Sequence, residues 1–333
     1  MEIYTGAKGW RALQQTGQDV GVVPTNNFNT VLWTGDGASS RSITGTGFTP
    51  DLVWTKKVGT STGNNILENT VIGSGTGKSL SSNSTAIAGN FDAYGYISSF
   101  DSDGVTYQEG SSGSWPNDNA NESGSAYVSW SWKAGGVVSP NNNSVGTITA
   151  TVSTNQDAGF SIVKYTGSST LSDTIGTGFT SQADLIIVKN LDSGSASWAV
   201  WSSTFSAASE TLFLDINSTS SAYTDRFGTV NATTFQAGSN GGSEVNASGN
   251  EMIAYCWQSV PGYSLISSYT GTGSATDSPK IYTGFEPAWL MVKRTDSTGA
   301  WNINDNKRNT SNPRNSILQA NVADQEYTNN AYN

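Results

Sequence analysis

The sequence predicts an all-β protein built from tandem antiparallel β-sandwich repeats of jelly-roll-like form. Three observations carry this. Segments of matching motif order recur along the 333 residues. Ser, Thr, Gly and Asn supply 156 residues, while β-branched and aromatic side chains gather in short runs between them. No segment holds a helical period long enough to compete. Eleven Trp, thirteen Tyr and eleven Phe, spread through the chain, argue against the disorder that so polar a composition alone would allow.

Residues 1–27 stand outside the repeats and are expected to form an attachment arm; within it, Trp10 to Gln15 looks faintly helical but is too short to weigh. The first repeat, 28–138, opens with Phe28 to Gly35 (FNTVLWTG), continues through Gly47-Phe48, and reaches an apolar run ending at Lys56 (DLVWTK). It closes with Asn121-Glu122-Ser123-Gly124 ahead of SAYVSWSW. Residues 139–159 are a linker or an inserted strand pair, and the alternation in Thr147 to Val152 favours strand. The second repeat, 160–262, repeats the order with Phe160 to Gly167 (FSIVKYTG), Gly178-Phe179, DLIIVK ending at Lys189, and Asn246-Ala247-Ser248-Gly249 ahead of NEMIAYCW. Trp132 and Trp257 both fall eight residues after the closing glycine, so the match holds at both ends.

The third repeat, 263–333, has Leu265 to Gly271 (LISSYTG), Gly284-Phe285 and AWLMVK ending at Lys293, but no closing strand. It reads as incomplete, and a chain continuing past Asn333 is the expectation that would cover the unpaired sheet edge. Asp36-Gly37, Asp103-Gly104 and Asn240-Gly241 mark the tight turns between runs.

Composition also excludes. Without His there is no Ser/His/Asp triad, no Cys/His pair and no imidazole ligand or base. One Cys allows neither an intrachain disulfide nor a thiolate zinc cluster. A net charge of −10 argues against binding nucleic-acid phosphates. The apolar runs are too short to span a membrane as helices, and the first residues lack the apolar stretch of a secretory signal.

Candidate chemistry is sparse, and neither a catalytic residue, a metal nor a cofactor is expected. Asp101-Ser102-Asp103-Gly104 starts like a calcium loop, but Ser112 stands where a bidentate Glu is needed, so it reads as a hairpin turn. Carboxylates between Asp101 and Glu122, or between Asp215 and Asp225, are numerous enough for a glycosidase pair, as any acidic chain would provide. Gly45-Thr46-Gly47 and Gly176-Thr177-Gly178 lack the helix and the Lys of a phosphate loop. Trp130 with Trp132, and Tyr255 with Trp257, recur at fixed places and read as packing residues. Cys256 reads as a small buried residue. Aromatics isolated in polar stretches are the better ligand candidates: Trp115 in GSWPNDN, Trp198 and Trp201 in SASWAVWSS, and Trp301 in TGAWNIND.

FNTVLWTGDG, SITGTGFTPDLVWTKK, SFDSDGVTY and NESGSAYVSWSWKAGG together resemble a repeated β-domain of tailed-phage virion and tail-fibre-like structural proteins, of the marine cyanophage type. FSIVKYTG, TIGTGF, LIIVKN and VNASGNEMIAYCWQSVPGYS resemble it again, as does the third repeat. The resemblance implies a virion protein made in the bacterial host cytoplasm. It is expected to be a tail-fibre or appendage subunit that adheres to host-surface glycan, attaches to other tail or capsid proteins through residues 1–27, and forms a homo-oligomer, a trimer by analogy. A capsid decoration or head-vertex protein is the alternative, and a polysaccharide depolymerase is a third reading from a different class.

Overall fold

The computed structural model describes residues 21–136, 145–207, 209–274 and 279–332. Most of the expected arm, including Trp10 to Gln15, and part of the 139–159 connection lie outside the described residues. The first repeat contributes β1 (Phe28–Thr34), β2 (Ser40–Thr44), β3 (Leu52–Val58), β4 (Ile66–Asn69), β5 (Leu80–Ser81), β6 (Tyr96–Asp101), β7 (Gly104–Gln108) and β8 (Ala126–Trp132). After β9 (Ala150–Asn155), the second contributes β10 (Phe160–Thr166), β11 (Ile175–Gly176), β12 (Leu185–Asn190), β13 (Ala199–Ser202), β14 (Glu210–Phe213), β15 (Tyr223–Thr224), β16 (Phe227–Val230), β17 (Thr234–Ala237) and β18 (Glu251–Trp257). The third contributes β19 (Trp289–Lys293), β20 (Trp301–Asp305), β21 (Arg314–Gln319) and β22 (Tyr327–Tyr332). Among the described residues the only helical turns are two 3-10 turns, Pro24–Asn26 and Asp92–Tyr94. The protein is all-β, with antiparallel sheets in sandwich-like layers.

Each complete repeat makes a main sheet and a smaller outer one. In the first, β1-β8-β3-β4-β5 is backed by β2-β7-β6; in the second, β15-β14-β13-β12-β18-β10-β9 is backed by β11-β17-β16. The closing strand lies between the opening strand and the central one. Trp132 is opposite both Phe28 and Leu52, and Trp257 opposite both Phe160 and Leu185. β9 adds itself to the outer edge of β10, so the inserted segment is strand where it is described.

Alternation sorts the two faces of a main sheet. From β18, Met252, Ala254 and Cys256 face the outer sheet, while Ile253 and Tyr255 point the other way. From β12, Ile186 and Val188 face outward and Ile187 inward, which is why this run is apolar without a break.

The inward faces meet in one cluster. It unites Leu52, Trp54, Trp130 and Trp132 of the first repeat with Phe160, Ile162, Trp198 and Tyr255 of the second, and Trp301, Ile303 and Leu318 of the third. The repeats are therefore packed about a common centre and are not strung out as separate beads. At about 1.5–3 kcal/mol per fully buried large apolar side chain, this cluster outweighs any surface ion pair in joining them.

Equivalent side chains then tie each repeat to the next in cyclic order. The Lys ending each apolar run buries its ammonium on carbonyls. Lys56 donates to Gly63 and, at 3.2 Å, to Val322 of the third repeat. Lys189 donates to Thr85 of the first at 2.8 Å, and Lys293 to Ser218 of the second at 2.7 Å. The residue opposite each Lys behaves alike. Asn65 reaches Gln319 and Val322 (both 2.9 Å), Trp198 reaches Ser84 (3.0 Å) and Trp301 reaches Phe213 (2.9 Å). Burial pulls the pKa of Lys56 down to about 7, against the opposing charge of Asp324, and that of Lys189 to about 8, against Asp215. For Lys293, burial and the neighbouring Arg294 charge lower it to about 8.

Candidate functional site

The segment from Glu109 to Asn121 connects β7 to β8 and is pinned at several points. The Gly110 N–H donates to the Pro116 carbonyl at 2.7 Å, Ser112 N–H to Ala93 at 2.8 Å, and Asn119 N–H to Tyr94 at 2.9 Å. Gly110 is required here, because a Cβ would lie 2.2 Å from the Asp92 carbonyl oxygen. The Ser112 hydroxyl accepts the Trp115 N–H at 3.1 Å, closing the turn that lifts this indole away from the body. Trp115 is 58% exposed, and Tyr94, at the end of the 3-10 turn, is 36% exposed. A Trp this open on a pinned loop contributes little to packing.

Trp115 overhangs an open groove of about 550 Å³. Thr60, Ser61, Thr62 and Asn64, from the β3–β4 connection, make a wall of hydroxyl and amide groups, and Ala323 of the third repeat closes one end. Lys57, Asp118 and Glu122 form the floor. The Lys57 ammonium pairs with Asp118 and, at 2.9 Å, with Glu122. Burial opposes the Lys57 charge, but the two carboxylates outweigh it and hold its pKa above the ordinary value. Glu122 is held below its ordinary value by the Ser125 hydroxyl and by Lys57. Beneath them the buried Tyr127 hydroxyl accepts the Glu122 N–H and donates to the Asp118 carbonyl, both at 3.0 Å.

The floor thus offers carboxylate acceptors, paired with an ammonium, beside aromatic faces. Chemically, such a combination suits polyhydroxylated ligands, through stacking on the rings and hydrogen bonding to the polar groups.

The other three candidate indoles lie elsewhere. Trp198 is 0% exposed and Trp301 5%, both in the shared core with their N–H groups on carbonyls of the neighbouring repeat. Trp201 is 8% exposed and sits between the two sheets of the second repeat. None presents a ring face to a ligand, so the candidate set is corrected to Trp115 alone; the polar neighbours of the other three belong to strand ends and turns around buried positions.

Asp103 accepts the Gly45 and Gly47 N–H groups at 3.1 and 2.6 Å, and Asp101 accepts the Thr106 hydroxyl at 2.7 Å, so this turn spends its carboxylates on the protein itself. Asp215 does the same, accepting the Trp198 N–H at 2.8 Å. Among the described residues no group of three or more His, Cys, Asp or Glu side chains is gathered to hold a metal ion. Cys256 is fully buried, and burial raises its pKa. A second cleft, about 520 Å³, lies between the first two repeats beside Asp51, Lys133 and Asp157 and has no aromatic lining.

Tyr94, Lys57 and Asn64 were not singled out by sequence. Lys57 had a faint signal: the first repeat carries two lysines where the second has Lys189 followed by Asn190. A family model described as a domain of unknown function (DUF7483) matches residues 23–333. No curated protein and no solved structure matches the chain.

Proposed function

The chain belongs to the DUF7483 family, and from that premise we propose that it is a non-enzymatic structural subunit of a phage virion, a tail-fibre or appendage module that holds host-surface glycan in the Trp115 groove. The observation that carries this reading is the exposed indole on a pinned loop above a wall of hydroxyl and amide groups. The scaffold supports it: three repeats closed round one aromatic core present the loop on a rigid base. The resemblance of the repeats to phage structural proteins supplies the setting. In it, residues 1–27 attach to other virion proteins and copies associate, as trimers by analogy.

The test is binding of the purified protein to polysaccharides from host cell envelopes, alongside Trp115→Ala. Loss of the stacking face should weaken binding about tenfold while the melting temperature stays put, since Trp115 packs against little. Equal binding by the variant, or shortening of the polysaccharide by the protein, would overturn the reading. Immunolabelling of intact particles distinguishes a tail from a head-decoration position.

A further inference from the structure

We propose that the Trp115 groove selects sugars carrying a free amino group, taking amino-sugar residues as ammonium ions and turning acidic sugars away. The inference rests on the groove reading above and names the class of sugar within it.

Three side chains that carry charge at neutral pH line the groove: Lys57, Asp118 and Glu122. They are not equally placed. The Lys57 side chain is 4% exposed, whereas those of Asp118 and Glu122 are 24% and 31% exposed. A ligand entering from solvent therefore meets carboxylate, with the ammonium behind it. Lys57 offsets one of the two negative charges and leaves the other. The Ser125 hydroxyl and Lys57 hold the Glu122 carboxyl below its ordinary value, so it stays ionised at neutral pH.

The bonding of these carboxylates leaves an acceptor on each. Lys57 pairs with Oδ1 of Asp118, and Oε2 of Glu122 takes both Lys57 and the Ser125 hydroxyl. Among the described residues, nothing donates a hydrogen bond to Asp118 Oδ2 or Glu122 Oε1. Other carboxylates of the protein are spent differently. Asp51, Asp101, Asp103 and Asp215 each engage both oxygens with groups of the chain itself. Beside the groove, two oxygens and one unbalanced charge face the ligand.

The aromatic side agrees. An ammonium is drawn to the electron-rich face of an indole or phenol, and Trp115 and Tyr94 line the same groove. An acidic sugar would instead bring its charge toward Asp118 and Glu122, with Lys57 already committed to both. The exposed Thr60 and Thr62 on the wall serve the ring hydroxyls of any sugar, so charge decides among sugars.

The probes are a trisaccharide of glucosamine with free amines, the same trisaccharide fully N-acetylated, and an oligogalacturonate, each titrated into the full chain at low salt. The free-amine probe should bind about tenfold tighter than the acetylated one, and the oligogalacturonate most weakly. Added salt should erode the amine advantage. Glu122→Gln, which leaves Lys57 its Asp118 partner, should bring the ratio of the two affinities toward one. Equal binding of the two trisaccharides, or preference for the oligogalacturonate, would overturn the proposal. So would amine binding that survives Trp115→Ala, because the attraction would then belong to the net charge of −10 and not to the groove. If host polysaccharide is held through Trp115 without any amine advantage, the amine assignment alone falls. If host polysaccharide binds equally without Trp115, the groove reading falls with it.

Discussion

The second and third repeats begin with related motifs and end in different structures. FSIVKYTG becomes β10, paired on both sides; LISSYTG, with the same Tyr-Thr-Gly ending, is not part of a strand. Local propensity does not separate them, because both carry β-branched and aromatic residues. What separates them is β18, whose thirteen paired positions on β10 and β12 have no counterpart in the third repeat among the described residues. A strand motif in this family is a request for pairing, and a partner far along the chain grants it.

The largest break in the comparison comes from the core. Trp198→Ala should destabilise by about 3–5 kcal/mol, because the indole is fully buried and bonds the first repeat. Trp301→Ala, its equivalent in the open repeat, should cost less, since the sheet around it can relax toward the free β19 edge. Denaturant unfolding of the two variants measures the gap, and equal losses would mean that the third repeat is as tightly held as the second.

A smaller effect separates two glycines. Gly167→Ala forces a Cβ against the Ala247 carbonyl and should destabilise by about 1–3 kcal/mol, whereas Gly271→Ala meets open space and should be neutral. The thermal midpoints of the pair report this directly.

A further contrast is in pH. Burial raises Glu68 to about 8, so the folded state holds a proton that the unfolded state releases above about 4.5, and stability falls from there to about pH 8. Burial lowers Lys189 to about 8, so the unfolded state holds the extra proton between about 8 and 10.5, and stability rises across that range. Lys56 begins the same rise near 7. Thermal midpoints should pass through a minimum near pH 7–8. Glu68→Gln removes the falling limb and Lys189→Met flattens the rising one; Lys293→Met, in the more open repeat, changes the curve least.

Much of this architecture was legible because duplication wrote it twice. The Tyr-Thr-Gly and Asn-x-Ser-Gly motifs stand at matched spacing because Gly35 and Gly167 are pressed against the loops that carry the second motif. Recurrence marked Lys56, Lys189 and Lys293 as equivalent, but not that each ammonium answers to a carbonyl of another repeat. The same blindness misjudged Trp198 and Trp301. Their neighbours are Ser, Ala, Gly and Asn, as in a surface loop, and the side that buries them belongs to a distant segment. Trp115 was legible for the opposite reason, since Gly, Pro and Asn around it set a turn whose tip has nothing to pack on. Tyr94 and the hydroxyl wall join it only through the fold.

The loop bearing Trp115 has a consequence for valency. Its counterpart in the second repeat, Gly238–Val245, contains no aromatic residue. Among the described residues the scaffold recurs and the aromatic groove does not recur in the second repeat, so on the proposed reading each chain would meet a glycan surface through the first repeat's loop. Grip on a repetitive polysaccharide would then come from the number of chains displayed side by side, and the spacing between copies would set avidity more than any change within one.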